Sequence, residues 1–527
     1  MMRTLVADVD NATGHDLVSW ESCLVGKRMR KTRGSSWKSL RSFLAQHGGT
    51  FYAYGLDFLG RFLVMRLMSD GFRWVKNGFA YTNMEFQTLF SELGQCYSIS
   101  WRENGMTIRL CDYSKLVRAD MRDVLEAFPG VHDRSEVMAQ SLLEFEQLGI
   151  HGMTIAQAAL TDYRRMIGRD EFYRHYPKVG LSVQFDSDVR NAYHGGYCDV
   201  NSAFANKDLQ GVYIYDVKSL YPSILKRYPL PCGMPLEFDG EPPAESALWI
   251  ANVRLSATLK PNGIPFLRIK HNPMFNPFSY VSDTCGVVNL WISSVDFLAL
   301  TENYDVEVYG FGGGYCFVES AHMFDDYVDK WYGLKESSEG MRKISCKLML
   351  NSLIGKFGAN VVLRDQEPVI TAGYLDFELG DTHFRDGVYL PVSVFVNAFG
   401  RLELTRAIRS AGKLNWVYSD TDSLHLLAPA EDGEFRLGNN LGELSLKGIA
   451  DDARYLSRKR YALRTDGVTS IVCAGMPGNI MERITYDDFR VGWTNANEDG
   501  TLKAGYELWK AYPVKGGMVK RPYVFNL

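Results

Sequence analysis

The chain has 527 residues, more than one hydrophobic core can organise, so we expect roughly three or four domains or subdomains. Hydrophobic residues make up 46% and charged residues 23% of the sequence, and no apolar run is long enough to span a bilayer, so we expect a globular protein without membrane segments. The formal net charge of -4 argues against a nucleic-acid-binding protein, whose usual footprint is a basic surface, but it leaves room for a local basic groove beside an acidic metal site.

The 9 cysteines lie between Cys23 and Cys473 and include no Cys-x-x-Cys pair. An odd, dispersed set indicates a reducing compartment and argues against a zinc ribbon. The first residues lack the long apolar core of a signal peptide, which agrees with an intracellular location.

The first predicted strand ends in two acids. Thr4–Ala7 is apolar, and Asp8 and Asp10 follow it. Carboxylates at a strand end can hold a metal ion or can be solvated in a turn, and the pair alone favours the turn. The basic residues within 27–38 are typical of a solvated loop, with contacts to phosphate as the alternative.

Further elements in this region alternate between strand and helix. A strand is predicted over 51–54, an apolar helix follows Asp57, and a helix with an apolar stripe is predicted over 134–148, directly after Asp133. This order indicates an α/β nuclease-like domain that ends near residue 185.

Paired glycines stand beside aromatic residues in a Tyr-x-Gly-Gly segment at 193–196. Such a segment can be a plain turn, or it can let the backbone approach a phosphate chain closely. Val212–Tyr215 then predicts a buried strand, which presents Asp216 at its end, and a helix is predicted to begin at 220–222.

The middle of the chain predicts an insertion and a basic helix. Residues 223–330 hold many short β-type runs and predict a small sheet of their own. One helix is predicted over 335–358, with Lys343, Lys347 and Asn351 on one face at i, i+4 and i+8. A solvated lysine face would explain the stripe, but Asn351 lowers helix propensity and favours a face that meets phosphates.

Asp420 and Asp422 are two carboxylates one residue apart at a predicted hairpin tip. Like charges so close repel each other, and a bound divalent cation would remove that cost; an ordinary Asp/Ser turn is the alternative. A hairpin-rich loop is predicted over 361–390, upstream of this tip, and a basic cluster with Lys459 and Tyr461 follows it.

Four of these motifs occur in a fixed order. They are Asp216-x-x-Ser219-Leu220-Tyr221-Pro222, Lys347-x-x-x-Asn351, Tyr418-x-Asp420-Thr421-Asp422-Ser423 and Lys459-x-Tyr461. In this order they resemble the palm and thumb motifs of family B DNA polymerases, and their co-occurrence is far more specific than any single motif. The Tyr-x-Gly-Gly segment, the insertion and the loop after Lys356 resemble the protein-primed branch of bacteriophages and linear plasmids.

The resemblance implies a right-hand polymerase, an α/β and α+β multidomain fold with palm, fingers and thumb behind an N-terminal RNase H-like exonuclease-type domain. The implied regions, in chain order, are the exonuclease-like domain (1–185), the start of the palm (186–222), an insertion that docks a terminal protein (223–330), the fingers helix (331–357), a strand-displacement loop (358–392), the remaining palm (393–462) and the thumb (463–527).

The implied reaction is template-directed DNA synthesis from dNTPs by two-metal phosphoryl transfer. Two Mg²⁺ ions, with Mn²⁺ as a substitute, would be held by Asp216, Asp420, Asp422 and the backbone carbonyl of Val217. The implied dNTP-binding residues are Tyr221, Lys335, Lys347, Asn351, Ser219 and Leu220, with Tyr221 excluding a 2′-hydroxyl. The implied DNA-binding residues are Tyr193, Gly195, Gly196, Lys343, Lys459 and Tyr461.

The implied partners are template-primer DNA, dNTPs and a terminal protein whose side-chain hydroxyl primes synthesis. The resemblance also implies a monomer that acts in the cytoplasm of a bacterial host. Two alternatives stay open: a polymerase of a mobile element that makes its own primer, and a DNA-binding relative that no longer polymerises. The intact acids Asp216, Asp420 and Asp422 argue against the second alternative.

The chain departs from the family pattern in the fingers helix and in the exonuclease motifs. Ile354 occupies a position where the family usually has Tyr, so we expect altered packing against the nascent base pair and altered fidelity. The first exonuclease motif, usually Asp-x-Glu, is Asp8-x-Asp10. In the third motif Asp133 is present, but Pro129 replaces the tyrosine that orients the attacking water.

The second exonuclease motif, usually Asn-x-x-x-Asp, has Gly55 and Leu59 at its two positions, with Asp57 between them. We therefore expect weak or absent 3′–5′ proofreading, since two-metal catalysis needs both ions. An active nuclease that uses Asp57 is the alternative. Asp57 would share the ligand face on a strand and would point away on a helix.

Overall fold

The computed structural model of this protein describes residues 2–10, 16–26, 28–77, 81–177, 182–245, 247–270, 272–276, 279–384, 389–514 and 517–527. Two large sheets organise this part of the chain, one of 8 strands near the N-terminus and one of 7 strands in the centre. No described helix is both long and apolar enough to cross a membrane.

The 8-stranded sheet belongs to an N-terminal α/β unit. Its elements are β1 (Met2–Val9), β2 (Leu17–Leu24), β3 (Lys31–Gly34), α1 (Trp37–His47), β4 (Gly49–Ala53), α2 (Leu56–Ser69), β5 (Arg73–Trp74), β6 (Glu85–Phe90), β7 (Cys96–Glu103), β8 (Met106–Asp112), α3 (Tyr113–Leu116), α4 (Met121–Glu126) and α5 (Arg134–Gln147). The strand order is β3-β2-β1-β4-β8-β7-β6-β5, and β4 runs parallel to both β1 and β8. Apolar residues of α1 and α2 pack with the sheet in one core, as the alternating pattern predicts.

Three helices and the first strands of the central sheet follow. They are α6 (Ile155–Ile167), α7 (Arg169–His175), α8 (Val183–Ala192), β9 (Cys198–Val200), β10 (Asp208–Val217) and α9 (Leu220–Arg227). The first and third of these helices begin at side-chain caps, because Thr154 and Ser182 each accept a hydrogen bond from a backbone N–H of the first turn.

The insertion has its own antiparallel sheet, as predicted. Its elements are β11 (Leu230–Cys232), β12 (Leu236–Phe238), β13 (Leu248–Leu259), β14 (Val288–Ser293), α10 (Ser294–Asn303), β15 (Tyr304–Phe317) and β16 (Glu319–Ala321). The sheet order is β12-β15-β13-β14, with all pairs antiparallel.

The predicted single helix over 335–358 is wrong, because two helices occupy this region. The elements are α11 (Asp325–Glu336), α12 (Gly340–Phe357), β17 (Val362–Leu363), β18 (Gln366–Thr371), β19 (Tyr374–Leu379) and β20 (His383–Phe384). Ser337 and Ser338 are weak helix formers, so α11 ends just before them. Gly340, the first residue of α12, has a φ of 53°, which a continuous α-helix does not allow. Lys335 and Lys347 therefore lie on different helices. The four short strands agree with the predicted hairpin-rich loop, of which residues 385–388 lie outside the described part.

The rest of the chain completes the central sheet. The elements are α13 (Leu390–Ala411), β21 (Trp416–Asp420), β22 (Ser423–Leu426), β23 (Leu444–Ser457), β24 (Arg460–Thr465), β25 (Val468–Cys473), α14 (Gly478–Met481), β26 (Leu508–Val514) and β27 (Gly517–Tyr523). The antiparallel order is β25-β24-β23-β10-β22-β21-β9. The helix α13 is buried along almost its whole length, and it contacts α8, α9, α10 and α12.

Several predicted region boundaries fall inside continuous elements. The boundaries after residues 185, 222, 330 and 392 lie within α8, α9, α11 and α13, and the boundary after 462 lies within β24. The chain passes between these regions along single helices or strands, without a linker.

Candidate active site

Strand pairing brings two distant acids together. β10 pairs with β22, so that Asp216 lies opposite Ser423. The tight turn before Ser423 carries Asp422, whose carbonyl oxygen accepts a hydrogen bond from the backbone N–H of Val217 at 2.7 Å. Asp216 and Asp422 therefore meet at one end of the central sheet, as the motifs predict.

The two carboxylates oppose each other electrostatically. Burial raises the pKa of Asp422 to about 7, and the neighbouring charge of Asp216 adds to this rise. Burial also raises the pKa of Asp216, against the opposing effect of Lys447. Oxygen ligands that repel each other in a partly desolvated place are a suitable donor set for a hard divalent cation. Val217 lines the same cleft.

The carboxylate of Asp420 pairs with a lysine. Its Oδ2 lies 2.5 Å from the Nζ of Lys459, and its Oδ1 accepts a hydrogen bond from Thr421 Oγ1 at 3.2 Å. In the part of the chain that is described, no group of three or more His, Cys, Asp or Glu side chains is arranged to hold a metal ion. The structure thus brings together two of the three predicted acids and pairs the third with a predicted DNA-binding residue.

A cleft of about 480 Å³ opens in front of the two acids. It is lined by Asp216, Val217, Lys218, Ser219, Leu220, Tyr221, Lys335, Lys343, Ile344, Lys347, Leu350, Asn351, Thr421, Asp422 and Lys447. All six residues predicted to bind dNTP are in this set. The exposed face of α12 supplies Lys343, Lys347 and Asn351, as predicted, and α11 supplies Lys335, whose Nζ donates to Ser219 Oγ at 3.1 Å.

The ring of Tyr221 is held at the base of the cleft. Its hydroxyl donates to Asn397 Oδ1 at 2.9 Å, and Asn397 Nδ2 in turn donates to the Ser393 carbonyl at 2.8 Å. A Cβ atom on Gly196 would lie 2.9 Å from the Tyr221 hydroxyl and 2.7 Å from Thr421 Oγ1. Gly196 is therefore required by close packing against both the tyrosine and the acidic turn.

A buried arginine and a half-buried lysine hold the Tyr-x-Gly-Gly segment. Arg401 donates to the carbonyl oxygens of His194 and Gly195 at 2.7 and 2.6 Å. Lys270 Nζ donates to the carbonyl oxygen of Tyr193 at 2.7 Å. The segment thus lies beside Tyr221 with its carbonyls fixed, while Gly195 remains exposed.

Lys459 and Tyr461 lie behind the acidic hairpin. The ring of Tyr461 lies 5.0 Å from that of Tyr418 and 5.5 Å from that of Tyr455. The Tyr418 hydroxyl accepts a hydrogen bond from the Lys459 backbone N–H at 3.2 Å. The Lys459-x-Tyr461 motif is therefore packed against the strand that presents Asp420.

Sequence reasoning missed Asn397, Arg401, Asp296 and Lys447. The first two were detectable in principle, because each interrupts the apolar run that forms α13. Polar groups in a buried helix need partners, which is a signal for a structured site.

Ile354, where the family has Tyr, is only 4% exposed, and its carbonyl oxygen accepts a hydrogen bond from Ser393 Oγ at 2.5 Å.

A second acidic cleft lies in the N-terminal unit. Asp8, Glu21, Arg33 and Asp133 line a space of about 620 Å³. Asp8 is exposed and accepts a hydrogen bond from Ser19 Oγ at 3.0 Å. The other predicted acid of β1, Asp10, is half-buried just beyond the strand.

Basic side chains of β3 form ion pairs with the acids of this second cleft. Arg33 pairs with Glu21 and, at 2.9 Å, with Asp133. Lys31 lies 3.3 Å from Asp133 and 2.9 Å from Glu136. Burial disfavours the charged form of Asp133, but hydrogen bonds with its neighbours outweigh this effect and hold its pKa well below the ordinary value. The basic run 27–38, of which Lys27 is outside the described residues, is therefore more than a solvated loop.

Asp57 does not join this cleft. It lies in the first turn of helix α2, accepts a hydrogen bond from the Cys96 backbone N–H at 2.7 Å and lies 3.6 Å from Lys115 Nζ. On a helix, we expect Asp57 to point away from the ligand face. The alternative of a nuclease that uses Asp57 has no support in this geometry.

Comparison with known proteins agrees with the site. The family model for DNA polymerase type B, organellar and viral, matches residues 137–431, more than half of the chain. The DNA polymerase of Bacillus phage M2 is 28% identical over 94% of this chain and 93% of its own length. The DNA polymerase of Bacillus phage phi29 is 28% identical over 88% of this chain and 89% of its own length.

Two solved structures share the whole architecture. Phi29 DNA polymerase complexed with primer-template DNA and incoming nucleotide has a TM-score of 0.87, 25% identity and coverage of 100% of this chain and 99% of that chain. Its post-translocation binary complex with primer-template DNA has a TM-score of 0.88. The predicted multidomain right-hand fold with an N-terminal exonuclease-type domain is confirmed. The chain belongs to the organellar and viral type B DNA polymerases, and it is a DNA-directed DNA polymerase.

Proposed function

We propose that this enzyme replicates a linear phage genome from dNTPs, with a terminal protein as primer and with displacement of the non-template strand. The observation that carries the proposal is the cleft in which Asp216 and Asp422 face the lysines of α11 and α12, with Tyr221 at its base. The phage relatives and the phi29 complexes with primer-template DNA and nucleotide support the substrate class. Bacteriophage relatives also support action in the cytoplasm of a bacterial host, and the enzyme is proposed to act as a monomer.

Asp216, Asp422 and the backbone carbonyl of Val217 would hold two Mg²⁺ ions, or Mn²⁺ in their place, with Asp420 adjacent. When bound, these ions supply charge neutralisation at the attacking and leaving oxygens of phosphoryl transfer. Lys459 pairs with Asp420 and would contact the primer end beside the metal site.

The incoming nucleotide would lie between two walls of the cleft. Lys335 and Lys347 would bind its phosphates as point charges, and Asn351 would line the pocket of the base. Tyr221 would lie under the sugar, where its ring leaves no room for a 2′-hydroxyl. The hydrogen bond to Asn397 would favour this position of the ring, which steric exclusion requires.

The DNA would be positioned by backbone contacts that carry no sequence information. The Tyr-x-Gly-Gly segment, with Tyr193, Gly195 and Gly196, would hold the template strand beside the acidic turn. Lys343 on the exposed face of α12 and Lys459 with Tyr461 would hold the phosphates near the primer end.

The region 358–392 is proposed as a strand-displacement element. Its strand β19 packs against the N-terminal unit: Phe377 lies 4.7 Å from Phe90, Arg61 lies over the Phe377 ring at 4.6 Å, and Leu375 is 3% exposed. The same strand contacts β26, and β27 contacts α2. The loop, the C-terminal hairpin and the N-terminal unit thereby form a chain of contacts that can surround DNA.

The remaining regions keep the roles implied by the motifs. The insertion 223–330 is proposed to dock the terminal protein, 331–357 to serve as fingers, 186–222 and 393–462 as palm, and 463–527 as thumb. The insertion is joined to the palm through α10, because Arg406 and Arg409 of α13 both pair with Glu302, at 2.5 and 3.1 Å.

The N-terminal unit, residues 1–185, is proposed to have little or no 3′–5′ exonuclease activity. Lys31 and Arg33 form ion pairs with Asp133, Glu21 and Glu136. The negative charge that would attract metal ions is therefore already balanced by residues of the protein. The second exonuclease motif has Leu59 in place of its acid, which removes a further metal ligand. The unit would then serve as support for the strand-displacement loop.

Incorporation of labelled dNTPs with Mg²⁺ tests the proposal. One arm supplies a DNA primer on a template, a second supplies a candidate terminal protein and a genome end without a primer, and a third supplies the template alone. Extension in the first two arms is expected. Synthesis on the template alone would indicate a self-priming enzyme, and no incorporation in any arm would indicate a non-catalytic relative.

A further inference from the structure

A β-bulge interrupts the pairing of β10 with β23 beside the active site. Ile214 pairs with Gly448, whereas the next residue, Tyr215, pairs with Leu446. Lys447 is therefore an extra residue that has no partner on β10. Bulges are frequent next to active sites, where they redirect a side chain.

The bulge directs Lys447 into the cleft. In a regular strand successive side chains alternate between faces, yet Leu446 is 50% exposed and the Lys447 side chain is 40% exposed. Lys447 lines the same cleft as Lys347, and its Nζ lies 3.6 Å from Asp216 Oδ2.

Stabilisation of the fold by the ion pair with Asp216 does not explain why a lysine occupies this position. The Lys447 side chain is 40% exposed, so solvent screens its charge and the pair contributes little to stability, while the long side chain loses rotamer freedom. The position of Lys447 instead supplies a positive charge on the palm side of the cleft, which the lysines of α11 and α12 also line.

We propose that Lys447 binds the triphosphate of the incoming nucleotide and the pyrophosphate that leaves it. The inference rests on the proposed use of dNTPs. Nucleotide addition joins the primer 3′ oxygen to the α-phosphorus and breaks the bond from that phosphorus to the oxygen bridging to the β-phosphate. The electron pair of the broken bond stays on pyrophosphate, and the proton of the primer hydroxyl passes to solvent. The side-chain nitrogen of Lys447 donates hydrogen bonds to the phosphate oxygens on which charge accumulates.

Three variants separate substrate binding from a purely structural pairing with Asp216. Lys447→Ala removes the charge, and Lys447→Arg keeps it. Lys226→Ala is the matched control, because Lys226 also forms an ion pair, at 2.6 Å with Asp329, but lies outside the cleft. Both positions are at least partly exposed, and thermal melting checks that each variant is folded.

The measurements are primer extension against dNTP concentration, the reverse reaction against pyrophosphate concentration, and capture of dNTP on a dideoxy-terminated primer. For Lys447→Ala we expect about a tenfold rise in KM for dNTP and for pyrophosphate and about a tenfold loss of dNTP capture, the size of one charged contact. Lys447→Arg should recover most of this loss, and Lys226→Ala should match the wild type.

Unchanged dNTP and pyrophosphate affinities in Lys447→Ala would overturn the inference, whether or not kcat falls. If kcat fell and the enzyme needed more Mg²⁺ while these affinities stayed the same, Lys447 would act only by positioning Asp216. A wild-type enzyme that incorporates no dNTP would overturn the proposed function, and the inference with it. Wild-type incorporation with unaffected variants would overturn the inference alone.

Discussion

Arg401 and Asp296 form a two-pronged ion pair inside the protein, with nitrogen–oxygen distances of 3.0 and 2.8 Å. Their side chains are only 3% and 6% exposed. The third guanidinium nitrogen donates to the carbonyl oxygens of His194 and Gly195. One buried arginine thus joins α13, the insertion helix α10 and the Tyr-x-Gly-Gly segment.

Asp296→Asn should lower the free energy of unfolding by about 3–5 kcal/mol, because it leaves the Arg401 charge buried without a counter-ion. Urea unfolding followed by tryptophan fluorescence measures the loss. Glu302→Gln is the control, since Glu302 pairs with Arg406 and Arg409 nearer the surface and should cost about 1 kcal/mol or less. Equal losses in the two variants would contradict the special role of the buried pair.

Asp422→Asn should reduce nucleotide addition by roughly 10²–10³-fold or more, because the loss of one carboxylate charge misplaces the groups that stabilise the transition state. The fold and DNA binding should be largely preserved, since the amide keeps the shape of the side chain. Single-turnover primer extension and a DNA gel-shift assay give the two quantities. Near wild-type extension would remove Asp422 from the catalytic set.

Tyr221→Val should raise the use of rNTPs relative to dNTPs, because the proposed sugar selection is steric. Tyr221→Phe keeps the ring and should keep most of the selection. Asn397→Ala frees the hydroxyl of Tyr221 and should relax selection partially. The ratio of kcat/KM values for matched rNTP and dNTP pairs measures the effect, and an unchanged ratio in Tyr221→Val would refute the steric role.

Replacing residues 362–384 with a short Gly/Ser linker should leave gap filling intact but shorten products on duplex templates. A segment that surrounds DNA slows dissociation without adding specific contacts. Arg61→Ala should give a weaker form of the same defect, because Arg61 packs over Phe377 of this loop. Extension in the presence of a DNA trap tests both, and long products from the linker variant would argue against the role.

Labelled single-stranded DNA incubated with Mg²⁺ and without dNTPs should be digested slowly or not at all from its 3′ end. The reason is that Arg33 and Lys31 already satisfy the acids of the N-terminal cleft. Asp8→Ala should therefore change little. Robust 3′–5′ digestion that disappears in Asp8→Ala would show an active nuclease.

Local sequence patterns predicted the elements that carry the chemistry. The apolar run before Asp216 became β10, and the two acids at 420 and 422 came to lie at the hairpin tip of β21 and β22. The lysine face of α12 also follows from its period of four. Such features depend on near neighbours in the chain, which periodicity and turn residues describe well.

Predictions that required knowledge of distant partners succeeded less well. The ion pair of Asp420 with Lys459 and the contacts of Asp57 with Cys96 and Lys115 were not visible in the motifs. Each depends on which segment packs beside it, and a motif does not contain that information.

By itself, the sequence determined that this is a family B polymerase with an acidic active site, because four motifs in fixed order carry the residues that phosphoryl transfer needs. Only the tertiary structure decided how those residues are held. The register of β10 against β22 and β23 joins Asp216 to Asp422 and pushes Lys447 into the cleft, and the buried helix α13 supplies Asn397 and Arg401. Strand register and burial arise from contacts across the whole chain, so they were settled only when the chain folded.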